Sequence, residues 1–252
     1  YIFDMRGLWA NERVDGGIWN VSNPVVRQIY RYVKSLEAKM LQSAHHVISL
    51  TEKGKKEILS WPLALSEKNM AVIPCCVDDQ YFSRQHIDHQ QTVALKSAMG
   101  MGSSSWVLGY SGSVGTWYML PEMLKFYGYC KEQIPDTTFL LLTPDPPETI
   151  LHTANSLQIP VDNIIIKSCT RDEMPNHLAL MDAAVFFIKP KYSKLASSPT
   201  KFAEFMSMEI PVVCNDGIGD MQKYFQSFRP GILLHEVTDA TIQQAANQLT
   251  QL

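Results

Sequence analysis

Five cysteines, Cys75, Cys76, Cys130, Cys169 and Cys214, are too few and too scattered for a disulfide framework, and none of them forms a CxxC metal pair. A reducing cytoplasm is the simplest setting for such a chain. No charge of one sign prevails either: 22 Lys and Arg stand against 25 Asp and Glu, for a formal charge of −3, so there is no general basic footprint for nucleic acid. Long hydrophobic runs are missing. The longest, such as Ala183 to Ile188, fall far short of the roughly 20 residues that cross a bilayer, and no charged n-region followed by an apolar h-region opens the chain. The glycines never fall in the GxGxxG dinucleotide spacing or the P-loop pattern, which disfavours hydride transfer.

What the chain has is alternation. With 252 residues it can bury a substantial core, as one large domain or two modest ones. Strand-like apolar runs alternate with helical patterns nearly throughout, the signature of βαβ units around a parallel sheet. Strands are predicted at Tyr1 to Asp4, His46 to Leu50 and Met70 to Ile73, with a long helix over Pro24 to Ser43 and another from a Thr51 cap to about Ser60. Arg6 to Gly17 reads as a polar, glycine-bearing loop. The boundaries expected are residues 1–82 for a first domain, 83–105 for a polar linker and 106–252 for a second domain. In the second, strands at Trp106 to Tyr110, Thr138 to Leu142, Asn163 to Ile166, Ala183 to Ile188, Pro211 to Cys214 and Gly231 to Leu234 alternate with helices. These helices are expected near Leu120 to Gln133, Pro147 to Leu157 and Arg171 to Leu180, from Ser198, near Asp220 to Phe225 and from Asp239, which makes a whole doubly wound unit. The first has too few strands and reads as a truncated sister domain. The chain opens at Tyr1 with an apolar run in progress and no initiator methionine, so a piece of a longer protein is expected.

One stretch carries chemistry. In Ser197-Ser198-Pro199-Thr200-Lys201-Phe202-Ala203-Glu204, Ser198 suits an N-cap and Pro199 the first helical position. The free N–H groups of such a helix start, with the positive end of the helix dipole, make an anion site. Glu204 lies three residues beyond Lys201 on the same helix face, while Phe202, Phe205 and Met206 form the stripe that docks the helix. A cation and a helix N-terminus with a carboxylate one turn away describe a nucleoside diphosphate, phosphates on the amides and ribose on the carboxylate. An ordinary capped surface helix with a solvated Lys–Glu pair is the plainer alternative.

Ligands of doubly wound sheets sit beyond the carboxyl ends of the strands. Three loops are predicted there: Gly109 to Tyr118, which includes Gly112, Ser113 and Gly115; Lys167-Ser168-Cys169-Thr170; and Lys189 to Lys194, whose lysines can offset diphosphate charge. The plainer alternative for each is a tolerant surface loop. The histidines His45-His46 and His86-Ile87-Asp88-His89 suit solvated surface better than a metal set.

At this point the residues resemble a known family. Met181 to Phe187, then SSPTKFAEFMSMEIPVV, then Asn215 to Asp220 are similar to the nucleotide-sugar-binding domain of GT-B glycosyltransferases of the family 4 type, over about residues 106–250. FDMRGLWANERVDGG, VISLTEKGKKEI and VIPCCVDDQYF resemble the last stretch of that family's N-terminal acceptor domain and its linker. The fold implied is α/β, GT-B type: a complete Rossmann-like donor domain and part of a second one.

The activity implied is retaining, metal-independent transfer of a sugar from a UDP- or GDP-linked donor to a saccharide or lipid-linked acceptor, with no cofactor. Glu204 matches the second carboxylate of the family's E-x7-E motif, on the ribose; the first would fall at Ala196 and is missing. The resemblance implies diphosphate contacts from backbone of Ser197, Ser198, Thr200 and Lys201, with Lys201 and Lys194 as cations. Gly112, Ser113 and Gly115 would lie beside the same phosphates, and Ser168 and Thr170 near the base. Glu12 and Arg13, with Asp4 and Arg6, are expected to face the acceptor, or else to brace the loop that bears them. Contact with the inner face of a membrane, through acceptor-domain segments ahead of residue 1, is part of the same expectation. Two alternatives stand beside it: a GT-B-fold nucleotide-sugar epimerase, and a nucleotide-binding module without catalysis.

Overall fold

Three short apolar segments, β1 (Ile2–Met5), β2 (His46–Ser49) and β3 (Met70–Val72), pair in parallel in that order. The computed structural model describes residues 1–250 and divides into two compact units; these strands belong to the first, which comprises residues 1–75, 190–199 and 217–223. The expected loop at Arg6 to Gly17 contains a helix, α1 (Trp9–Asp15). Its Ala10 N–H is received by the buried Glu37 carboxylate at 3.3 Å. That carboxylate comes from α2 (Pro24–Ser43), whose Asn23 cap accepts the Val25 and Val26 N–H groups. With only Leu8 and Ala10 buried, α1 carries too short an apolar stripe to announce itself by periodicity. Met5, Leu8, Leu41, Val47, Ile58, Met70 and Ala196 form the core of this unit.

The start of α3 (Glu52–Ser60) fastens the two distant segments to unit one. Thr51 accepts the Gly54 N–H and donates to Leu195 O at 2.6 Å. Asp220 takes the other first-turn donors, Glu52 N at 2.6 Å and Lys53 N at 3.2 Å, the usual placement of an anion at the positive end of a helix. Gly219 makes this turn with φ +43; a Cβ there would stand 2.2 Å from Ser197 O.

The second unit comprises residues 76–189, 200–216 and the chain from Tyr224 onward. Residues 83–105, expected as a linker, belong to it and contain α4 (His89–Ala98), capped by Asp88. Arg84 Nε donates to Met208 O at 3.0 Å and Ser207 to Phe82 O, which binds this stretch into the unit. The strands are β4 (Trp106–Ser111), β5 (Thr137–Leu142), β6 (Ile164–Lys167), β7 (Ala183–Phe186), β8 (Val212–Asn215) and β9 (Gly231–Leu234), all parallel, in the order β6-β5-β4-β7-β8-β9. Counted from β4 this is 3-2-1-4-5-6, the doubly wound order, with its switch point between β4 and β7. β5 and β7 are buried at every position, as strands covered on both faces must be. The helices are α5 (Leu120–Gln133), α6 (Pro147–Ser156), α7 (Met174–Leu178), α8 (Thr200–Ser207), α9 (Met221–Phe228), which belongs to this unit from Tyr224 on, and α10 (Asp239–Leu249).

Two predicted helices are shorter than expected. The one read from Arg171 to Leu180 is α7, and the one read from a Ser198 cap starts at Thr200. The Ser198 hydroxyl accepts the Cys75 N–H at 3.1 Å instead, so it serves unit one.

The switch point is braced by Asn215. Its amide receives Ile188 N–H at 2.8 Å and donates to Ile188 O at 2.9 Å, prolonging β7 by a side-chain clamp in a fully buried place. Asn215→Ala leaves both main-chain groups unpaired and is expected to cost about 2 to 4 kcal/mol, read as the shift in the denaturant unfolding midpoint; an unchanged midpoint would show that the clamp carries no load.

Candidate functional site

Beyond β4, at the switch point, the chain turns through Gly112 with φ +107, whose N–H donates to Leu142 O at 2.8 Å. The loop that follows is tied down. Asp145 accepts the Val114 N–H and, at 3.1 Å, the Thr143 hydroxyl. Burial alone would raise the Asp145 carboxyl, but hydrogen bonds from Val114, Ser113 and Thr143 hold it below the usual range. The Tyr110 hydroxyl donates to Ser113 O, and the Ser113 hydroxyl accepts the Gly115 N–H at 3.2 Å. Gly112, Ser113 and Gly115, predicted as a phosphate loop, form one braced turn.

Lys201, in the first turn of α8, reaches this turn from below. Its Nζ lies 3.7 Å from the Tyr118 ring centroid, 4.1 Å from that of Tyr110 and 6.0 Å from that of Phe186. A Cβ at Gly112 would stand 3.1 Å from it. The residue is only 8 % exposed and its amine meets no hydrogen-bond acceptor among the described residues. Burial pulls the amine down to about 7, partly opposed by the charge of Glu204. The ring faces attract a desolvated ammonium by about 2 kcal/mol or somewhat more, whereas removing one from water costs several, and burial is the larger influence on the amine. Such a side chain is a poor choice for stability and a strong pointer to a ligand.

Glu204, one turn along α8, is half-buried. Burial raises its carboxyl above the usual range, against the opposing pull of Arg171 first and Lys201 second. Arg171 was not anticipated in the site. Its guanidinium lies over Tyr81 and Phe82, at 5.7 and 5.9 Å from the ring centroids, and the Tyr81 hydroxyl donates to Arg171 O and to Asp172. The only sequence signal for it is its place directly after the loop that ends in Thr170. In that loop Ser168 is exposed, while Thr170 commits its N–H and hydroxyl to Glu173 at 2.9 and 3.0 Å, closing the turn into α7. Thr200 is exposed at the start of α8.

The remaining predicted residues lie in unit one. Lys194 is nearly buried and ion-paired with Glu12 at 2.8 Å, so the cation expected on phosphate and the carboxylate expected on the acceptor hold each other. Asp15 accepts the Ser193 N–H at 2.8 Å. Carboxylates of α1 thus brace the 190–199 segment, which is the alternative set against an acceptor-facing role. Arg13 takes no part in that network; its guanidinium lies 4.9 Å from the Trp9 ring, which meets Trp19 edge-on. Asp4 and Arg6 form an exposed pair at 3.6 Å. Ser197 donates its N–H to Lys194 O, and Ala196 is buried in the unit's core.

Among the described residues no three His, Cys, Asp or Glu side chains gather as a metal site, and no helix is long and apolar enough to cross a membrane. His86 is engaged with Gln80 O and Asp88 with the start of α4.

No family model matches this chain, and no curated protein is similar to it in sequence. Solved structures are similar in fold. WaaG, a glycosyltransferase involved in lipopolysaccharide biosynthesis, matches 100 % of this chain with 66 % of its own at a TM-score of 0.77 and 12 % identity. HepE of Anabaena, in complex with UDP-glucose, matches 99 % with 61 % of its own at 0.71 and 13 %. TarM matches 87 % with 38 % of its own at 0.61 and 14 %. This chain therefore spans two-thirds or less of the length of these proteins. Their likeness is one of fold: α/β with parallel sheets, matching the Rossmann-like domains of the GT-B architecture.

Replacing Lys201 by Met keeps the volume and removes the desolvated amine, so the variant is expected to be more stable than wild type by about 1 to 3 kcal/mol at pH 6. The folded-state value lies below the unfolded one, so the amine destabilises most below about 7. The gain should shrink as pH climbs from there toward the ordinary lysine range. Denaturant unfolding at pH 6 and pH 9.5 checks both points; a variant less stable at pH 6 contradicts this account.

Proposed function

We propose that this chain carries the donor-binding half, and part of the acceptor-binding half, of a hexosyltransferase-type glycosyltransferase that moves a sugar from UDP or GDP to a saccharide or lipid-linked acceptor. The observation that carries the reading is Lys201, a buried amine without an acceptor among the described residues, at the switch point of a doubly wound sheet. A nucleoside diphosphate offers oxygens to that amine and to the first-turn N–H groups of α8. Its ribose hydroxyls can donate to Glu204 one helical turn away. Fold likeness to glycosyltransferases supports the reaction class by analogy.

When the glycosidic bond to the diphosphate breaks, negative charge grows on the departing oxygens. Lys201 and the dipole of α8 are aimed at that charge, which is the service a divalent cation performs in other transferases. On this reading neither a metal nor a cofactor is required, and the sugar is transferred with retention. The turn of Gly112, Ser113 and Gly115 lets the phosphates approach backbone, and the loop of Ser168 and Thr170 borders the base. Glu12, held by Lys194, is the group on unit one nearest in character to an acceptor contact. Arg13, set over the Trp9 ring, is the second group of unit one proposed to face the acceptor.

One observation favours a second reading, nucleotide binding without transfer: Ala196 is apolar and buried where the resemblance calls for a carboxylate. Sugar transfer by the complete polypeptide would dismiss that reading.

Calorimetric titration with UDP, GDP, ADP and NAD in the presence of EDTA tests the donor site. One of UDP and GDP is expected to bind, and Glu204→Gln to weaken it by about 1.5 to 3 kcal/mol, the scale of a hydrogen bond to a charged group. Equal affinity of the folded variant would remove Glu204 from the site, and binding that appears only with magnesium would refute metal independence.

A further inference from the structure

The surroundings of Lys201 bear on how the donor arrives, an inference that rests on the reading of this site as a nucleoside diphosphate site. We propose that a nucleoside diphosphate binding beside Gly112 brings a proton with it from solvent, and that the proton is taken up at Lys201 Nζ.

The groups that face Nζ are few. β4 supplies the Tyr110 ring, the loop after β4 supplies Gly112 and the Tyr118 ring, and β7 supplies Phe186 at a greater distance. Its own helix supplies Glu204, whose charge is shared with Arg171. Asp145, the carboxylate of the adjoining loop, is committed to Val114 and Thr143. The two tyrosine hydroxyls are themselves pushed up by burial and stay neutral. Among the described residues no permanent anion is therefore in contact with the amine, and none accepts a hydrogen bond from it. A phosphate oxygen would be the first anionic acceptor it meets.

Burial already brings the amine to about 7. At pH 8 most copies of the free protein then hold it as an amine. Contact with a diphosphate favours the ammonium and raises that value, so each binding event converts Nζ from amine to ammonium and removes one proton from the medium. By linkage, donor affinity is flat below about 7 and falls by roughly tenfold per pH unit above it, until the bound-state value is reached.

Titration of this chain with UDP, or with GDP if UDP does not bind, in HEPES and in Tris at pH 8 measures the protons exchanged from the difference in heat. A terminal phosphate, with its second pKa of about 6, is already ionised there. The expected result is close to one proton taken up per nucleotide, with Kd rising by about tenfold between pH 7.5 and 8.5. Lys201→Arg, charged at every pH, should bind without uptake. Lys201→Met should bind weakly, also without uptake, and serves if the arginine fails to fold by circular dichroism. Wild-type binding with no proton exchange and a pH-independent Kd overturns this inference and leaves the donor site standing. Uptake that persists in Lys201→Met overturns its assignment to Lys201. Failure of the folded wild type to bind UDP or GDP overturns the donor-site reading and this inference with it.

Discussion

An ammonium cannot be withdrawn from water cheaply, and the architecture around the switch point of unit two is arranged so that one is. Lys201 enters from α8, and the backbone closes over it at Gly112, where φ is +107 and an added Cβ would stand 3.1 Å from Nζ, tighter than ordinary contact. That turn must in turn be held down. Asp145 and Thr143 at the end of β5 hold one side of it, and the clamp of Asn215 on Ile188 fixes the neighbouring lip beyond β7. Remove the lysine and these devices have no evident purpose beyond ordinary loop bracing. With it, they keep a destabilising group in one place, as sites prepared for a ligand do.

A second constraint explains how the chain is shared between units. Segments 190–199 and 217–223 interrupt the sequence of unit two yet belong to unit one. Each is held there by groups that saturate something costly: Asp220 fills the N-terminus of α3, and Glu12 neutralises the buried Lys194. Leaving either partner alone would strand a buried charge or a row of helix donors. The same economy explains why Ser198, well suited to cap α8, is drawn instead to the Cys75 N–H.

Much of the fold was legible because the strands of unit two are covered on both faces, and such strands read as continuous apolar runs with helices between them. Helix α5 begins and ends where it was predicted, and the six strands fall within one or two residues of their expected places. The boundary at 83–105 was misleading because polar composition is a weak proxy for a linker: Asp88 caps a helix there and Arg84 is bonded into the unit. In the site, Lys201 and Glu204 were visible from helical spacing, and the glycine turn from its place after β4. What spacing cannot reveal is which of several lysines lacks a partner. Lys194 and Lys201 look alike in sequence, and only tertiary contacts show one neutralised by Glu12 and the other surrounded by rings. Arg171 was hidden for the same reason, since its role depends on aromatic residues 90 positions away in the chain, at Tyr81 and Phe82.

The two residues on the exposed question of function are displaced by one cause in opposite senses. Burial drives the Lys201 amine toward neutrality and the Glu204 carboxyl toward protonation, and their mutual attraction only partly offsets it. If they formed a contact ion pair, each would relieve the other. They do not, because helical spacing sends Nζ under Gly112 while the carboxyl remains half-exposed. A ligand that is anionic at one end and rich in hydroxyls one turn away relieves both at once, by accepting from the amine and donating to the carboxylate. An isolated phosphate would relieve the lysine alone and a nucleoside the glutamate alone. On the reading proposed above, carrying both groups is what separates a nucleoside diphosphate from the other anions a helix N-terminus would hold.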